Sequence, residues 1–255
     1  MDQMFRKSTV LSLALLLAAC RLAPPPEIDG PIPDKTTRQI VRERLSAVVV
    51  TDRAELGKWR NGIFSITDAP DDADGGSAAP ITHDGYFLTA DHVLAESPGK
   101  NVFIVHAGGG RLSTSRARVV WRSEADDLAL LHAPIATPYH YQWTDPSRWI
   151  RKGRAVVHGG MSTGPRSPHG TLTTFLSPER YLTGSRSFKM DMHLEPGDSG
   201  GPVVDAFGQL IGINSAVEFL IPLETAIFID SEGVRPNTKK IREMIEKDRI
   251  MTHTR

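Results

Sequence analysis

Three observations predict an all-β fold of two antiparallel six-stranded β-barrels with a C-terminal helix. Short apolar runs alternate with turn signals along most of the 255 residues, as in small closed sheets. Glycine and proline are frequent, at 22 and 18, which suits many tight turns. The runs fall into two groups of about six, separated by an irregular stretch at 137–149, and helical spacing of apolar residues stands out only near the C-terminus.

At the N-terminus, Arg6 and Lys7 precede the apolar run Val10–Ala19, which is too short to span a bilayer as a helix, for which about 20 residues are needed. The end of that run, Leu17-Ala18-Ala19-Cys20, resembles a bacterial lipoprotein signal. The resemblance implies a signal peptide at 1–19, cleavage before Cys20 and acylation of that cysteine. Several acyl chains would then anchor the protein stably in a membrane. Arg21 rather than Asp follows the cysteine, so the expected location is the bacterial cell envelope, on the outer membrane and facing the periplasm. Cys20 is the only cysteine, so the mature domain is expected to hold together by packing without a disulfide.

Residues 20–45 read as the lipidated cysteine and a spacer, in which Pro24, Pro25, Pro26, Pro31 and Pro33 favour an extended, stiff chain. Thr36–Leu45 is a candidate short polar helix, and Asp68–Gly76 a candidate exposed acidic loop rather than a calcium site. The remainder, 46–255, divides into barrel one at about 46–136, barrel two at about 150–235 and a helix at about 237–248. Candidate strands of the first group are Gly62–Ile66, Gly85–Thr89, Asn101–His106, Arg116–Arg122 and Leu128–His132. Those of the second are Arg154–His158, Thr171–Leu176, Ser187–His193, Pro202–Val204, Leu210–Ser215 and Ala226–Ile229. Ile241, Met244 and Ile245 give the last segment an apolar stripe, expected to pack on the second barrel.

The chemistry concentrates in Gly197-Asp198-Ser199-Gly200-Gly201-Pro202, a serine in a glycine-flanked turn just before an apolar strand. Glycine permits positive φ and close backbone approach, so the amides of Gly197 and Ser199 could converge as an oxyanion hole. A serine hydroxyl needs a base, and the base an orienting acid. Upstream, His92 follows the apolar stretch Tyr86-Phe87-Leu88, and Asp126-Asp127 opens the run Leu128-Ala129-Leu130-Leu131, giving the order His92, Asp127, Ser199. The serine turn also fits the nucleophile elbow of α/β-hydrolases, in which the acid and histidine follow the serine. Only 56 residues follow Ser199, and their one histidine, His253, lies almost at the end, which excludes that fold.

Thr89-Ala90-x-His92, Asp127-Leu128-Ala129-Leu130-Leu131 and Gly197–Pro202 resemble, in order, the three motif blocks of trypsin/chymotrypsin-like serine peptidases. Gly85–Val93 and Leu210–Ser215 look closest to bacterial periplasmic members, and the resemblance spans about residues 60–230. It implies a serine endopeptidase with His92 as general base and acid, Asp127 as its orienting carboxylate and Ser199 as nucleophile. Asp126 is expected to be solvated. Asp198 is expected to organise the oxyanion loop through a partner that the sequence does not identify. By position, His193 and Leu194 fall near the base of the specificity pocket, and Ser215, Ala216 and Val217 along its wall. A shallow pocket for small or medium apolar side chains is expected. His193 could instead attract an acidic side chain or hydrogen-bond within the barrel.

No cofactor or metal is implied. The expected partners are a protein or peptide substrate and, through Cys20, a membrane. Lys+Arg and Asp+Glu number 30 each, so no overall field points to nucleic acid. The sequence leaves no room for the PDZ domain that many periplasmic relatives carry, so a monomer is expected. The competing readings are a catalytically silent scaffold lipoprotein on the same fold and an esterase using the same triad.

Overall fold

The computed structural model describes residues 28–56, 73–108, 111–145, 150–164, 169–220 and 227–253. The signal segment, Cys20 and the candidate strand Gly62–Ile66 lie outside the described residues. The chain opens with an extended stretch tied to the domain by Asp29 N–H donating to Gly153 O at 2.8 Å and by Arg154 Nη2 to Asp29 Oδ2 at 3.3 Å. Residues 28–34, expected as free spacer, are therefore strapped to the fold. Helix α1 (Lys35–Arg42) starts where Asp34 accepts the amides of Thr36 and Thr37, a side-chain cap for orphan N–H groups. It ends three residues before the expected Leu45, because the β-branched run that follows is drawn into a strand.

That strand is β1 (Arg44–Thr51), buried from Ser46 onward and absent from the sequence expectations. Then come β2 (Asp74–Ser77), β3 (Ala79–Pro80), β4 (Tyr86–Thr89), β5 (Asn101–Gly108), β6 (Arg111–Arg116), β7 (Arg118–Ser123) and β8 (Leu128–His132). They form two antiparallel sheets, β2-β1-β5-β6 and β3-β4-β8-β7. Only Ala78 separates β2 from β3, and only Ala117 separates β6 from β7. Each pair is one bent strand shared between the sheets, so the ring closes with six strands. Asp74, Gly75 and Gly76, expected in an exposed loop, pair with Val50, Val49 and Val48 of β1.

The second barrel comprises β9 (Ala155–His158), β10 (Gly170–Thr171), β11 (Arg186–Met190), β12 (Pro202–Val204), β13 (Leu210–Leu220) and β14 (Ile227–Arg235). Their order is β10-β9-β12-β13-β14-β11. A bridge between Leu172 and Met190 joins the two edge strands and closes this ring too. The run Thr171–Leu176 is not one strand, since Phe175 leaves the sheet and is 69% exposed.

Why the strands read as continuous apolar runs is visible in the packing. Val156, Val203 and Ile211 enter the interior of the second barrel with Phe188 and Met190. Their neighbours Val157, Val204, Leu210 and Ile213 join the core that includes the first barrel. Successive side chains point to opposite faces, and here both faces are buried.

Helix α2 (Thr238–His253) sends Ile241 and Ile245 into that shared core. That core includes Val204, Leu210 and Ile213 of the second barrel, while the polar clamps of the helix are on the first barrel. Arg118 grips Asp248 with both guanidinium nitrogens (2.7 and 2.6 Å), Tyr86 donates its hydroxyl to Asp248 at 2.8 Å, and Arg249 pairs with Asp84. The partners sit on β4 and β7 and just before β4, so the helix packs where these side chains converge.

Candidate active site

His92 lies in a short 3-10 turn, Asp91–Leu94, directly after β4. Its neighbour Asp91 is buried and held bidentately by Arg122, with Nε to Oδ1 at 2.7 Å and Nη2 to Oδ2 at 3.0 Å, which fixes the turn. Asp127 follows a second 3-10 turn, Glu124–Asp126, and stands in the left-handed region at φ 49° and ψ 51°. It is the only non-glycine with positive φ among the described residues. That conformation costs an L-residue about 1–2 kcal/mol, so the surroundings must impose it.

The conformation aims the Asp127 carboxylate at His92. His92 Nδ1 lies 2.9 Å from both carboxylate oxygens, and the His92 backbone N–H donates to Oδ1 at 3.0 Å. Ser215 Oγ donates to Oδ2 at 2.5 Å. Burial works against ionisation of Asp127, but the hydrogen bonds from His92 and Ser215 outweigh it and hold the carboxyl below its ordinary range. The hydrogen bond to Asp127 in turn raises the His92 pKa above 6.5, against the opposing effect of partial burial. With Nδ1 committed to Asp127, Nε2 carries the lone pair of the neutral ring. His92 is 49% exposed at its side chain, so that nitrogen can meet a substrate.

Ser199 is half-buried in a turn that the first barrel grips on both sides. Ser77 of β2 donates its amide to Ser199 O at 2.8 Å and its hydroxyl to Gly197 O at 2.6 Å. Gly200 has φ +80°, and a Cβ there would stand 2.2 Å from Thr89 Oγ1 and 2.3 Å from Ser77 O. Only glycine lets the serine turn come this close to the strand that delivers His92. Among the described residues, the amides of Gly197 and Ser199 donate to no protein acceptor. Ser199 Oγ likewise makes no hydrogen bond among the described residues. The Asp127–His92 half of the arrangement is closed and the His92–Ser199 half open, a contact that commonly tightens only with substrate.

The partner of Asp198 is now defined. Its carboxylate is fully buried and accepts the amides of Ser162 and Thr163 on Oδ1, both at 3.1 Å, and that of Glu195 on Oδ2 at 3.0 Å. It thereby ties the loop before Ser199 to the turn after β9. Asn214 Nδ2 donates to Asp198 O at 3.1 Å and supports the same loop.

Asp126, expected in solvent, is 2% exposed and engaged by Ser123 and by three groups of the second barrel. The sequence position of the donors, far downstream, gave no local signal of this. Among the pocket candidates, Leu194 is buried, whereas the His193 side chain is 57% exposed and pairs through Nε2 with Glu195 Oε1 at 3.0 Å. The Ser215 hydroxyl is on Asp127. Ala216 and Val217 pair in the backbone with Glu232 and Ser231 after a register shift, and their side chains lie outside the described residues. Sequence reasoning missed Ser77 and Arg122, which carry no motif of their own.

Comparison with known proteins bears on this arrangement. The sequence matches the family described as "Trypsin-like peptidase domain" over residues 76–213, more than half of the chain and inclusive of all three motif residues. The serine protease Do-like HtrA of Lactobacillus helveticus is 28% identical over 137 residues, covering 51% of this chain and 32% of its own length. A probable periplasmic serine endoprotease DegP-like of Brucella suis biovar 1 (strain 1330) is 30% identical over 168 residues, covering 59% and 31%. The chain thus spans about a third of the length of these curated relatives. Among solved structures, an HtrA-type protease AlgW with decapeptide superposes with a TM-score of 0.59 over 83% of this chain and 66% of that one, at 19% identity. A second, AlgW with tripeptide, gives a TM-score of 0.57 at 21% identity, over 82% and 62%. Identities that low speak to the fold alone, and the fold agrees with the two closed barrels described above. The chain belongs to the trypsin-like peptidase domain family.

Proposed function

We propose that this chain is a serine endopeptidase acting through Ser199, His92 and Asp127. The observation that carries the reading is the Asp127–His92 contact at 2.9 Å, beside a serine turn held against the same strand. His92 Nε2 takes the Ser199 proton as Oγ attacks the scissile carbonyl. The amides of Gly197 and Ser199 stabilise the tetrahedral oxyanion. His92 then gives its proton to the leaving amine, and water attacks the acyl-enzyme with His92 again as base. Every group in this sequence comes from one chain.

A fluorophosphonate probe tests the nucleophile. Covalent labelling of the wild type that disappears in Ser199→Ala is the expected result. A folded wild type that takes no label would instead favour the silent scaffold, and turnover of esters without peptides would favour an esterase.

The pH profile tests the base. His92 must be neutral to accept a proton, so its raised pKa places the acid limb of kcat/KM above 6.5. Asp127→Asn should lower kcat on the order of 10⁴-fold and move the limb down, because the charge that favours the imidazolium is gone. A wild-type limb near the ordinary carboxylate range would rule out His92 as the titrating base.

Selectivity is proposed for small or medium apolar side chains before the scissile bond. Leu194 is buried in the region expected to floor the pocket, and the exposed His193 is committed to Glu195. Profiling a peptide library should show cleavage after such residues. Strong cleavage after Lys or Arg would overturn the assignment, and cleavage after Asp or Glu would return the role to His193.

We further propose that Cys20 carries the lipid and places the domain on the outer membrane, facing the periplasm. The curated relatives described as periplasmic support an envelope location, and the Leu17–Cys20 segment supports the anchor. Metabolic labelling with a palmitate analogue should mark the wild type and not Cys20→Ser. An unlabelled wild type in the soluble fraction would refute the anchor.

A further inference from the structure

We propose that Asp126 is a positioning residue. By binding a loop of the second barrel, it holds the backbone at Asp127 in the conformation that presents the Asp127 carboxylate to His92. The inference rests on the peptidase reading for its kinetic consequences, though not for its geometry.

The Asp126 side chain is 1% exposed, yet only one of its donors comes from its own barrel. That donor is Ser123 Oγ, which reaches Oδ2 at 3.0 Å. The remaining donors converge on Oδ1 from residues 180–185: Thr183 Oγ1 at 2.9 Å, Arg180 Nη1 at 3.1 Å and the Ser185 hydroxyl. Arg180 also donates to the carbonyl of Ala125, one residue earlier. Two consecutive residues before Asp127 are thus fastened to one loop of the other barrel.

The loop itself is a tight, closed unit. Arg180 N–H donates to Ser185 O at 2.9 Å, and Gly184 N–H to Arg180 O at 2.7 Å. Gly184 has φ +69°, and a Cβ there would lie 2.5 Å from Asn237 Nδ2, so the loop presses on the start of α2. A cavity of about 10 Å³, no larger than one water, lies between Asp126, Ser185, Asn237 and Lys240. The fit leaves little room for the Asp126 side chain to turn away.

The consequence falls on the next residue. Asp127 is bound on its other side by Leu128, whose pairing with Ser123 fixes the start of β8. With Ala125 and Asp126 tied to the loop and Leu128 tied to the sheet, the torsions at Asp127 have no slack, and its unfavourable left-handed conformation persists. Burial opposes ionisation of Asp126, but hydrogen bonds from Ser185, Thr183, Ser123 and Arg180 outweigh it, so the carboxylate stays charged at neutral pH. An amide in its place would keep one acceptor oxygen for the loop donors but lose the charge that pairs with Arg180 and turn an N–H donor toward the Ser123 hydroxyl.

The test is Asp126→Asn in the full chain, with Thr183→Val as a milder variant that leaves the Arg180 pair intact. Two quantities are read: the His92 imidazole pKa by NMR titration, and kcat and KM on a peptide substrate. For Asp126→Asn, kcat should fall on the order of 10²-fold with little change in KM, as expected when a catalytic group is misplaced by a fraction of its contact distance. The His92 pKa should fall toward 6.5 as its contact with Asp127 loosens. Thr183→Val should shift both in the same direction and less far, and it decides the matter if Asp126→Asn does not fold. Loss of stability with an unchanged His92 pKa and kcat in either folded variant would make Asp126 a staple of the fold and overturn the proposal. The NMR titration stands even if the wild type proves inactive, so failure of the peptidase reading is read separately.

Discussion

Ser77 is the contact on which the site depends. Its amide and hydroxyl hold the carbonyls of Ser199 and Gly197, and its hydroxyl also receives the amide of Met161 at 2.9 Å. Each barrel closes on itself and needs nothing from the other to satisfy its ladders. The relative placement of His92 and Ser199 therefore has to come from contacts between barrels, and Ser77 supplies three of them from one residue. Gly200 makes them possible, because any side chain there would push the serine turn off Ser77 O and Thr89. The backbone bonds bring the turn in and the missing Cβ allows it to stay.

The second constraint is electrostatic. Asp126, Asp127 and Asp198 are three carboxylates placed around the serine turn and its base, and none is left with unsatisfied oxygens. Asp198 is served by backbone amides, Asp127 by His92 and Ser215, and Asp126 by hydroxyls and an arginine. A buried charge lacking such donors would shift its pKa and neutralise. The donors also differ in what they can transmit. Amides lock Asp198 to backbone, which suits a rigid oxyanion loop. Asp127 hydrogen-bonds His92, a group that titrates near neutrality, so there the carboxylate tunes chemistry as well as shape.

How far this was legible in the sequence follows from the range of each interaction. Ser199, Gly197 and Gly200 were readable because their conformational demands are local and written in adjacent residues. His92 and Asp127 were readable because each sits at a strand end with a recognisable apolar run. Asp126 was misjudged because three of its four donors lie more than fifty residues downstream, and a lone acid beside a loop looks solvated. β1 escaped because its Val48-Val49-Val50 run follows a helical segment without a turn signal between them, and the first-barrel contacts of α2 escaped because Asp248 and Arg249 find partners on β4 and β7 and just before β4. His193 was placed by counting from the serine, which gives position along the chain but not the direction of a side chain that pairs with Glu195.

The described N-terminal stretch is fastened mainly to the second barrel. Asp29 and Arg154 fasten the extended chain to the second barrel, and Thr37 of α1 donates its hydroxyl to Ala206 O at 2.6 Å, just beyond β12. With Cys20 as the proposed anchor, eight residue steps separate the lipid from Ile28, a span of at most about 27 Å even if fully extended. The prolines that suggested a long standoff are thus divided between two roles: Pro24, Pro25 and Pro26 lie in that short span, and Pro33 is buried against the fold. Under that proposal the described N-terminal stretch meets the second barrel, which carries Ser199, before α1 leads into β1 of the first barrel.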